Sequence, residues 1–458
     1  KTANTIIKWA KVFENCCTAY GSHAAGVVIT DGTPVKEIVP LRYNSKLGIY
    51  TTQCNMIEVE ENGMLKFDFL GLKTLDIVTD CKWQLEKRGI NFGPYNIPLD
   101  NKKTFEKIFA DAKTNSVFQF ESKGMKKMLK RFEPSSFEDL IILVSMFRPG
   151  PLQYLDSVMD VKHGRKPVQY LTPELEPILS KTYGAIAYQE QVMQIFQKLA
   201  GYTLGGADMV RRYMSKKKME KLELERYAFI NGDPNRNIPG CVANGITYDA
   251  ASKLFDEMTN FAKYAFNKSH AAAYAYNSYV SGYLKELYPA EFLMAAMNWA
   301  EKSQNKDPLP ELLIEASDVG VKVLPPNVNY SKGKFSVHDG KILFGLASVK
   351  EVASAANSIV ENAPYISFHD FIARSKANKT AVINLIKAGA LDDFNTSRKA
   401  MLESYDAFKT AYAKLSKKET YIETATAILP KLSLCGTDEA LVEMQKSLGL
   451  HVEFKTLI

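Results

Sequence analysis

From Leu72 onward, apolar residues recur at helical spacing for roughly two hundred residues, broken only at Pro98, Pro134, the Arg148-Pro149-Gly150-Pro151 cluster, Pro173 and Gly205-Gly206. A chain patterned in this way must bury most of its apolar surface between helices. The preceding part differs. Residues 24–30, 38–41 and 49–53 are short runs of β-formers separated by Gly, Pro and Asn, and residues 65–70 make one more strand. Short strands return over residues 323–344, followed by short helices with Gly-containing turns, while residues 231–244 read as a polar surface loop. No internal repeat is visible. The expected class is α+β, mostly helical, with a partial sheet near the start.

Composition bounds the function. In 458 residues, 46% hydrophobic and 24% charged, there is enough apolar material for packed cores and too much for wholesale disorder. The longest uncharged stretches, such as residues 271–284, fall short of the roughly 18 to 20 residues that span a bilayer, so no membrane partner is expected. The six Cys form no Cys-x-x-Cys pair, which argues against a zinc site or a disulfide framework and for a reducing cytoplasm. A chain opening on Lys1, with no secretory signal, reads as cytoplasmic and as a piece of a longer protein. The net charge of +7 permits a polyanionic partner without demanding one.

Four groups of residues could carry chemistry. Lys66-Phe67-Asp68-Phe69 lies on an expected strand, so Lys66 and Asp68 share one face and the Phe residues share the other. The Phe face is expected in the core and the Lys/Asp face in the open. A carboxylate on a rigid strand suits a metal ion; an ordinary ion pair on an exposed strand fits the same spacing. Two-metal phosphoryl chemistry needs more than one carboxylate around ions roughly 3.5–4 Å apart, and no Asp-x-Asp stands on an expected strand.

Gly205-Gly206-Ala207-Asp208 reads as a turn with Asp208 as N-cap, opening a helix that carries Arg211, Arg212, Lys216, Lys217 and Lys218. Guanidinium groups near a helix start suit a triphosphate; a solvated basic face is the competing reading. Phe266-Asn267-Lys268-Ser269-His270 gives a second anion-ready terminus, capped by Asn267 or Ser269, with Lys268 and His270 at its positive end. Tyr276, Tyr279 and Tyr283 read as a core stripe. Lys123, Lys126, Lys127, Lys130 and Arg131 form a basic cluster, and His163-Gly164-Arg165-Lys166 another. Such clusters on successive helices fit a groove that tracks phosphates without reading bases. Lys387 lies in a helix–Gly hairpin–helix segment, residues 385–391, a format in which backbone N–H groups meet a DNA phosphate.

Together these residues resemble the α subunits of bacterial DNA polymerase III, the C family of replicative polymerases. The resemblance rests on Ser22-His23-Ala24-Ala25-Gly26, Lys66-Phe67-Asp68-Phe69-Leu70-Gly71, Val117-Phe118-Gln119-Phe120-Glu121-Ser122, Phe147-Arg148-Pro149-Gly150-Pro151, Tyr188-Gln189-Glu190-Gln191-Val192-Met193, Gly201-Tyr202-Thr203-Leu204-Gly205-Gly206-Ala207-Asp208 and Phe266-Asn267-Lys268-Ser269-His270-Ala271. It covers about residues 15–400, and the spelling resembles the general form of the family rather than the exonuclease-containing form.

The resemblance implies that residues 1–75 are the end of the thumb and the last part of the palm. Residues 76–345 would be fingers, 346–400 a tandem helix-hairpin-helix region, and 401–458 a linker and the start of a C-terminal region. It implies that Asp68 is a ligand of two Mg²⁺ ions, with Lys66 its basic neighbour in the active site. Arg211, Arg212, Asn267, Lys268 and His270 would face the incoming dNTP, and His23 would lie near the DNA backbone. Primer–template DNA, dNTPs, an upstream palm and phosphoesterase-like half, a sliding clamp and other replisome subunits are the implied partners, in the bacterial cytosol or nucleoid or a phage-infected cell. The other two palm carboxylates of the family belong upstream of these residues, so the chain is expected to be inactive without that half. A hairpin at Ser348-Val349-Lys350-Glu351 lacks the usual Gly-x-Gly, and Gln445-Lys446-Ser447-Leu448 fits a clamp-binding peptide only loosely. A non-catalytic duplex-DNA-binding module derived from such a polymerase is the alternative.

Overall fold

The computed structural model describes residues 2–14, 16, 21–23, 25–215, 218–262, 265–302, 308–394 and 396–415. They form two compact units that divide after Lys73. The class is α+β and mostly helical, with short strands only.

In the first unit, helix Thr2–Phe13 has no buried residue. Strand β1 (Gly26–Ile29) pairs antiparallel with β4 (Leu65–Asp68), and β2 (Leu41–Asn44) pairs antiparallel with β3 (Ile49–Thr52). Residues expected as a strand around Ile38 instead form the short helix Val35–Ile38 before β2 begins. Helix Met56–Glu61 is fixed by a reciprocal cap: Asn55 accepts from the Glu58 N–H, while the Glu58 carboxylate accepts from the Asn55 N–H. The small core is Val39, Val59 and Met64, with Val28 packed against it.

The alternation along β4 is as expected, but its covered face is the reverse. Val28 stands opposite Lys66, so the Lys66 side packs toward the small core and its side chain is only 16% exposed. The aliphatic stem is covered while the ammonium reaches out, a common use of lysine. Leu65, Phe67 and Phe69, with Val27 and Ile29 on the partner strand, are exposed instead. A two-stranded ribbon has one side to bury against one short helix, and the Phe side is not the one chosen.

Among the described residues the second unit holds three hydrophobic clusters. Helix Lys268–Leu287 joins two of them, placing Ala271, Ala275 and Tyr279 in one and Val280 and Leu284 in another. The third gathers helices Gln189–Ala200, Leu204–Ser215, Met219–Asn231 and Tyr248–Ala262. The 268–287 helix approaches its neighbours closely, since a Cβ on Gly282 would lie 2.9 Å from the Phe109 ring. Its tyrosine stripe is core: the Tyr279 hydroxyl donates to Pro98 O at 2.9 Å and accepts from the Asn101 N–H at 3.1 Å, and the Tyr276 hydroxyl donates to Pro94 O. Near its end, the fully buried Lys285 ammonium donates to Asn115 O at 2.8 Å and to the Glu315 carboxylate.

The segment expected as a surface loop is folded tightly onto its own helix. Gly232 and Gly240 both have positive φ, and a Cβ on Gly240 would lie 2.3 Å from the Gly232 nitrogen. Ile238 and Cys241 are buried there. Further on, β5 (Val323–Leu324) runs parallel to β7 (Lys341–Leu343), which pairs antiparallel with β6 (Ser336–His338). Helices Lys379–Lys387 and Arg398–Leu415 then flank a turn at Gly389, whose φ is +79°, and both join the same core as the 280–300 region. Among the described residues no helix is long and apolar enough to cross a membrane.

Lys285→Ala is expected to destabilise the second unit by about 3–5 kcal/mol, because it strands a buried Glu315 carboxylate. Lys285→Met combined with Glu315→Leu is expected to recover most of that loss in denaturant unfolding. Equal losses in the single and double variants would show that packing, not charge, dominates there.

Candidate nucleic-acid interface

In the first unit three polar side chains converge at the end of the β1–β4 ribbon. Lys66 Nζ donates to Asp68 Oδ1 at 2.6 Å, and His23 Nδ1, which accepts from the Ala25 N–H, lies 3.9 Å from the same oxygen. The convergence depends on Gly26, opposite Asp68: a Cβ there would sit 2.9 Å from Lys66 Cε and 3.1 Å from His23 Nδ1. The hydrogen bond from Lys66 holds the Asp68 carboxyl below the usual carboxylate range, the charge of Lys66 adding to the effect. The Asp68 side chain is 53% exposed, and Oδ2 is left outside the Lys66 bond. An ionised, accessible oxygen of this kind suits a hard divalent cation. It is a single ligand: among the described residues no group of three His, Cys, Asp or Glu could hold a metal ion.

In the second unit, residues 188–189 link the chain just before helix Lys268–Leu287 to Arg211, which with Arg212 lies well along helix Leu204–Ser215 and not near its start as expected. Tyr188 and Phe266 form a parallel bridge, Gln189 N–H donates to Phe266 O, and the Gln189 side chain donates to Ala265 O. Arg211 donates back to Gln189 Oε1 at 3.0 Å and to Asp208 Oδ1 through Nε and Nη2. Among the described residues Arg212 bonds through Nε alone, to Asp208 Oδ2 at 2.8 Å. Their exposure separates them: 19% for the Arg211 side chain and 60% for Arg212. Adjacent arginines therefore do different work, Arg211 tying helices together and Arg212 presenting its outer nitrogens. Asp208, expected as an N-cap, sits inside the helix, past its first turn, where hydrogen bonds from Arg211 hold its carboxyl below the usual range. The side chain that accepts at this helix start is Thr203, from the Gly206 N–H.

At the other start, Asn267 caps the helix by accepting from the His270 N–H at 2.8 Å. His270 lies between Phe266, which it meets edge-on, and Tyr274, whose ring is tilted against it with centroids 4.0 Å apart. The Lys268 ammonium lies 3.3 Å from Glu138 and 5.2 Å above the Tyr188 ring. The expected anion-ready terminus is not bare, because the Glu190 carboxylate accepts from both the Lys268 N–H and the Asn267 amide. Glu138, Gln189 and Glu190 were not singled out by the residue patterns, and neither was Arg148, whose guanidinium lies 4.2 Å over the Phe266 ring. The signal that could have found Arg148, Gln189 and Glu190 was their place inside the 147–151 and 188–193 motifs; Glu138 stands in neither.

The basic clusters divide similarly. On helix Lys123–Phe132, Met125, Met128, Leu129 and Phe132 face the core while Lys123, Lys127 and Lys130 are exposed. Lys126 is half-buried and donates to Asn115. Arg131 pairs with Asp156, and Arg165 and Lys166 both pair with Asp160. Lys387 is half-buried in the last turn before Gly389. Lys216 and the 445–448 segment lie outside the described residues.

The chain thus carries a carboxylate on a strand, a large helical body with Lys268 at a capped helix start and Arg211 and Arg212 toward the end of another helix, and a terminal helix–Gly turn–helix. Residues 1–71 match the bacterial DNA polymerase III alpha NTPase domain, residues 74–237 the bacterial DNA polymerase III alpha subunit finger domain, and residues 320–401 a helix-hairpin-helix motif. The chain belongs to the bacterial DNA polymerase III α-subunit family. It is 40% identical over 403 residues to the DNA polymerase III subunit alpha of Caulobacter vibrioides, covering 86% of this chain and 34% of that protein. The protein of the same name from Escherichia coli K12 is 40% identical over 428 residues (89% and 36%), and that from Aquifex aeolicus 41% over 409 residues (87% and 34%). The chain thus spans about a third of the length of the curated relatives it matches.

Lys66→Met is expected to return the Asp68 titration toward its ordinary value, as read by carboxyl-carbon NMR. Because the folded-state value is lowered, the pair's contribution to stability is present above the unfolded-state value and is lost as pH falls through the folded one. An Asp68 titration unmoved by the substitution would assign the shift to another cause.

Proposed function

We propose that this chain is a working part of a replicative DNA-directed DNA polymerase, which extends a primer by in-line attack of its 3′-OH on the α-phosphate of a dNTP with release of pyrophosphate. The observation that carries the reading is Asp68: an ionised, half-exposed carboxylate fixed on a strand in the region matched by a polymerase III α model. Mg²⁺, with Asp68 as one ligand and further carboxylates from outside this chain, would supply charge stabilisation at the phosphoryl oxygens and a more acidic hydroxyl. Lys66 keeps Asp68 ionised and aimed. Arg212, Lys268 and the Asn267-capped start bind triphosphate oxygens, with Arg211 and His270 holding that surface in shape. His23 lies beside the DNA backbone.

Exposed Lys123, Lys127 and Lys130 neutralise duplex phosphates, with Lys126, Lys216 and Lys387 adding charge to the same task. The partners are primer–template DNA, the upstream palm and phosphoesterase-like half, and the clamp and other replisome subunits. The place of action is the bacterial cytosol or nucleoid; the named relatives are all bacterial, and nothing among them supports a phage-infected cell.

In the intact polymerase, Asp68→Ala is expected to lower nucleotide incorporation by about a hundredfold or more, while primer–template affinity stays within about twofold in fluorescence anisotropy. Near-normal turnover would remove Asp68 from the chemistry and favour a DNA-binding module without catalysis. Arg212→Ala is expected to raise the KM for dNTP about tenfold with the fold intact. Arg211→Ala is expected to lower the unfolding temperature as well, since it cuts the link to Gln189. The opposite ranking would reassign the two residues.

A further inference from the structure

At the start of the Lys268–Leu287 helix a carboxylate already occupies the place where a phosphate is expected. Glu190 Oε1 accepts from the Asn267 side-chain amide at 3.0 Å and from the Lys268 N–H at 3.1 Å, and Oε2 accepts from the same N–H at 2.9 Å. Two anionic oxygens on a helix-start N–H imitate the geometry by which such termini hold phosphate. The surrounding charge is balanced as well: Lys268 faces Glu138, and Arg211 and Arg212 share Asp208. A triphosphate entering this surface meets paired cations and a seated carboxylate.

A second observation concerns Tyr188. The residue is 1% exposed, and its hydroxyl has no hydrogen-bond partner among the described residues although Glu138, Asp139 and Glu190 lie near it. Buried hydroxyls are nearly always paired, so an unpaired one beside a seated carboxylate marks an arrangement with an acceptor still to come. Tyr188 is also the ring under the Lys268 ammonium and the residue bridged to Phe266.

We propose that Glu190 is a placeholder carboxylate, exchanged for the triphosphate of the incoming nucleotide at this helix start. The inference rests on reading the Arg212–Lys268 surface as the nucleotide site. In the exchange, the Lys268 N–H and the Asn267 amide pass from Glu190 to a phosphate oxygen, and the Tyr188 hydroxyl gains an acceptor. Nothing covalent changes. A polyanion replaces a monoanion on the same donors, so the site selects for several linked phosphates over one. Glu190 is a positioning residue: it keeps the donors aligned in the unliganded protein and opposes anions too weakly charged to displace it.

The test is calorimetric titration of this chain with inorganic tripolyphosphate and with inorganic phosphate. Glu190→Gln keeps an amide oxygen for the Lys268 N–H but removes the charge, and is expected to bind tripolyphosphate about tenfold more tightly than wild type. It is also expected to lose discrimination against phosphate and, in the intact polymerase, to lower the KM for dNTP more than it changes kcat. Arg212→Ala is expected to weaken tripolyphosphate binding whether residue 190 is Glu or Gln.

If Arg212→Ala weakens binding but Glu190→Gln leaves it unchanged or weaker, the placeholder role is overturned and the nucleotide-site reading stands. If wild type and both variants ignore tripolyphosphate, that reading falls and takes the placeholder with it. Circular dichroism separates these outcomes from misfolding, and Glu190→Asp, which keeps the charge, is expected to restore wild-type affinity and discrimination.

Discussion

A buried ammonium group holds the second unit in register. Lys285 is wholly enclosed, and burial pushes its pKa down while Glu315 pulls it back up. The charge is tolerable only because Asn115 O and the Glu315 carboxylate meet it together. That requirement joins three parts of the chain distant in sequence: the loop at Asn115, helix Lys268–Leu287 and helix Pro308–Asp318. With Gly282 against Phe109 and Tyr279 locked between Pro98 and Asn101, the long helix has one axial position. Everything at its start is placed by what is fixed near its end.

The functional surface built on that helix is self-satisfied. Its cations have carboxylate partners, its helix start has a cap and a seated acid, and the neighbouring helix start has its own threonine cap. Binding at such a surface is an exchange of partners rather than the filling of a vacancy, which limits net affinity and sharpens the distinction between anions. The Asp68 end of the first unit follows another rule. There a single lysine orients one oxygen and leaves the other accessible, and a glycine makes the room.

The family was legible because motifs are statements about sequence, and the chain carries many of them. The class was legible too, since helical periodicity and short β-runs are local properties. What failed was whatever depends on contacts made at long range. Period 2 correctly put Lys66 with Asp68, but which face would be covered depended on a helix seating against Val28, and the Phe face stayed open. Arg211 and Arg212 are identical in type and adjacent, so only the position of Gln189 separates them. Glu190 stands far along the chain from Lys268, and no spacing rule links them. Residues 231–244 look polar and loop-like, yet two glycines let that segment close on itself around Ile238 and Cys241.

The open side of the β1–β4 ribbon has a practical consequence. Val27, Ile29, Leu65, Phe67 and Phe69 put contiguous hydrocarbon into water on strands of only four residues, and such surface is costly until something covers it. Helix Thr2–Phe13 adds Ile6, Ile7, Trp9, Val12 and Phe13 to the apolar surface that the isolated chain carries. The chain's colloidal behaviour should follow concentration and mild surfactant more closely than ionic strength, whatever the state of the charged surface on the helical body.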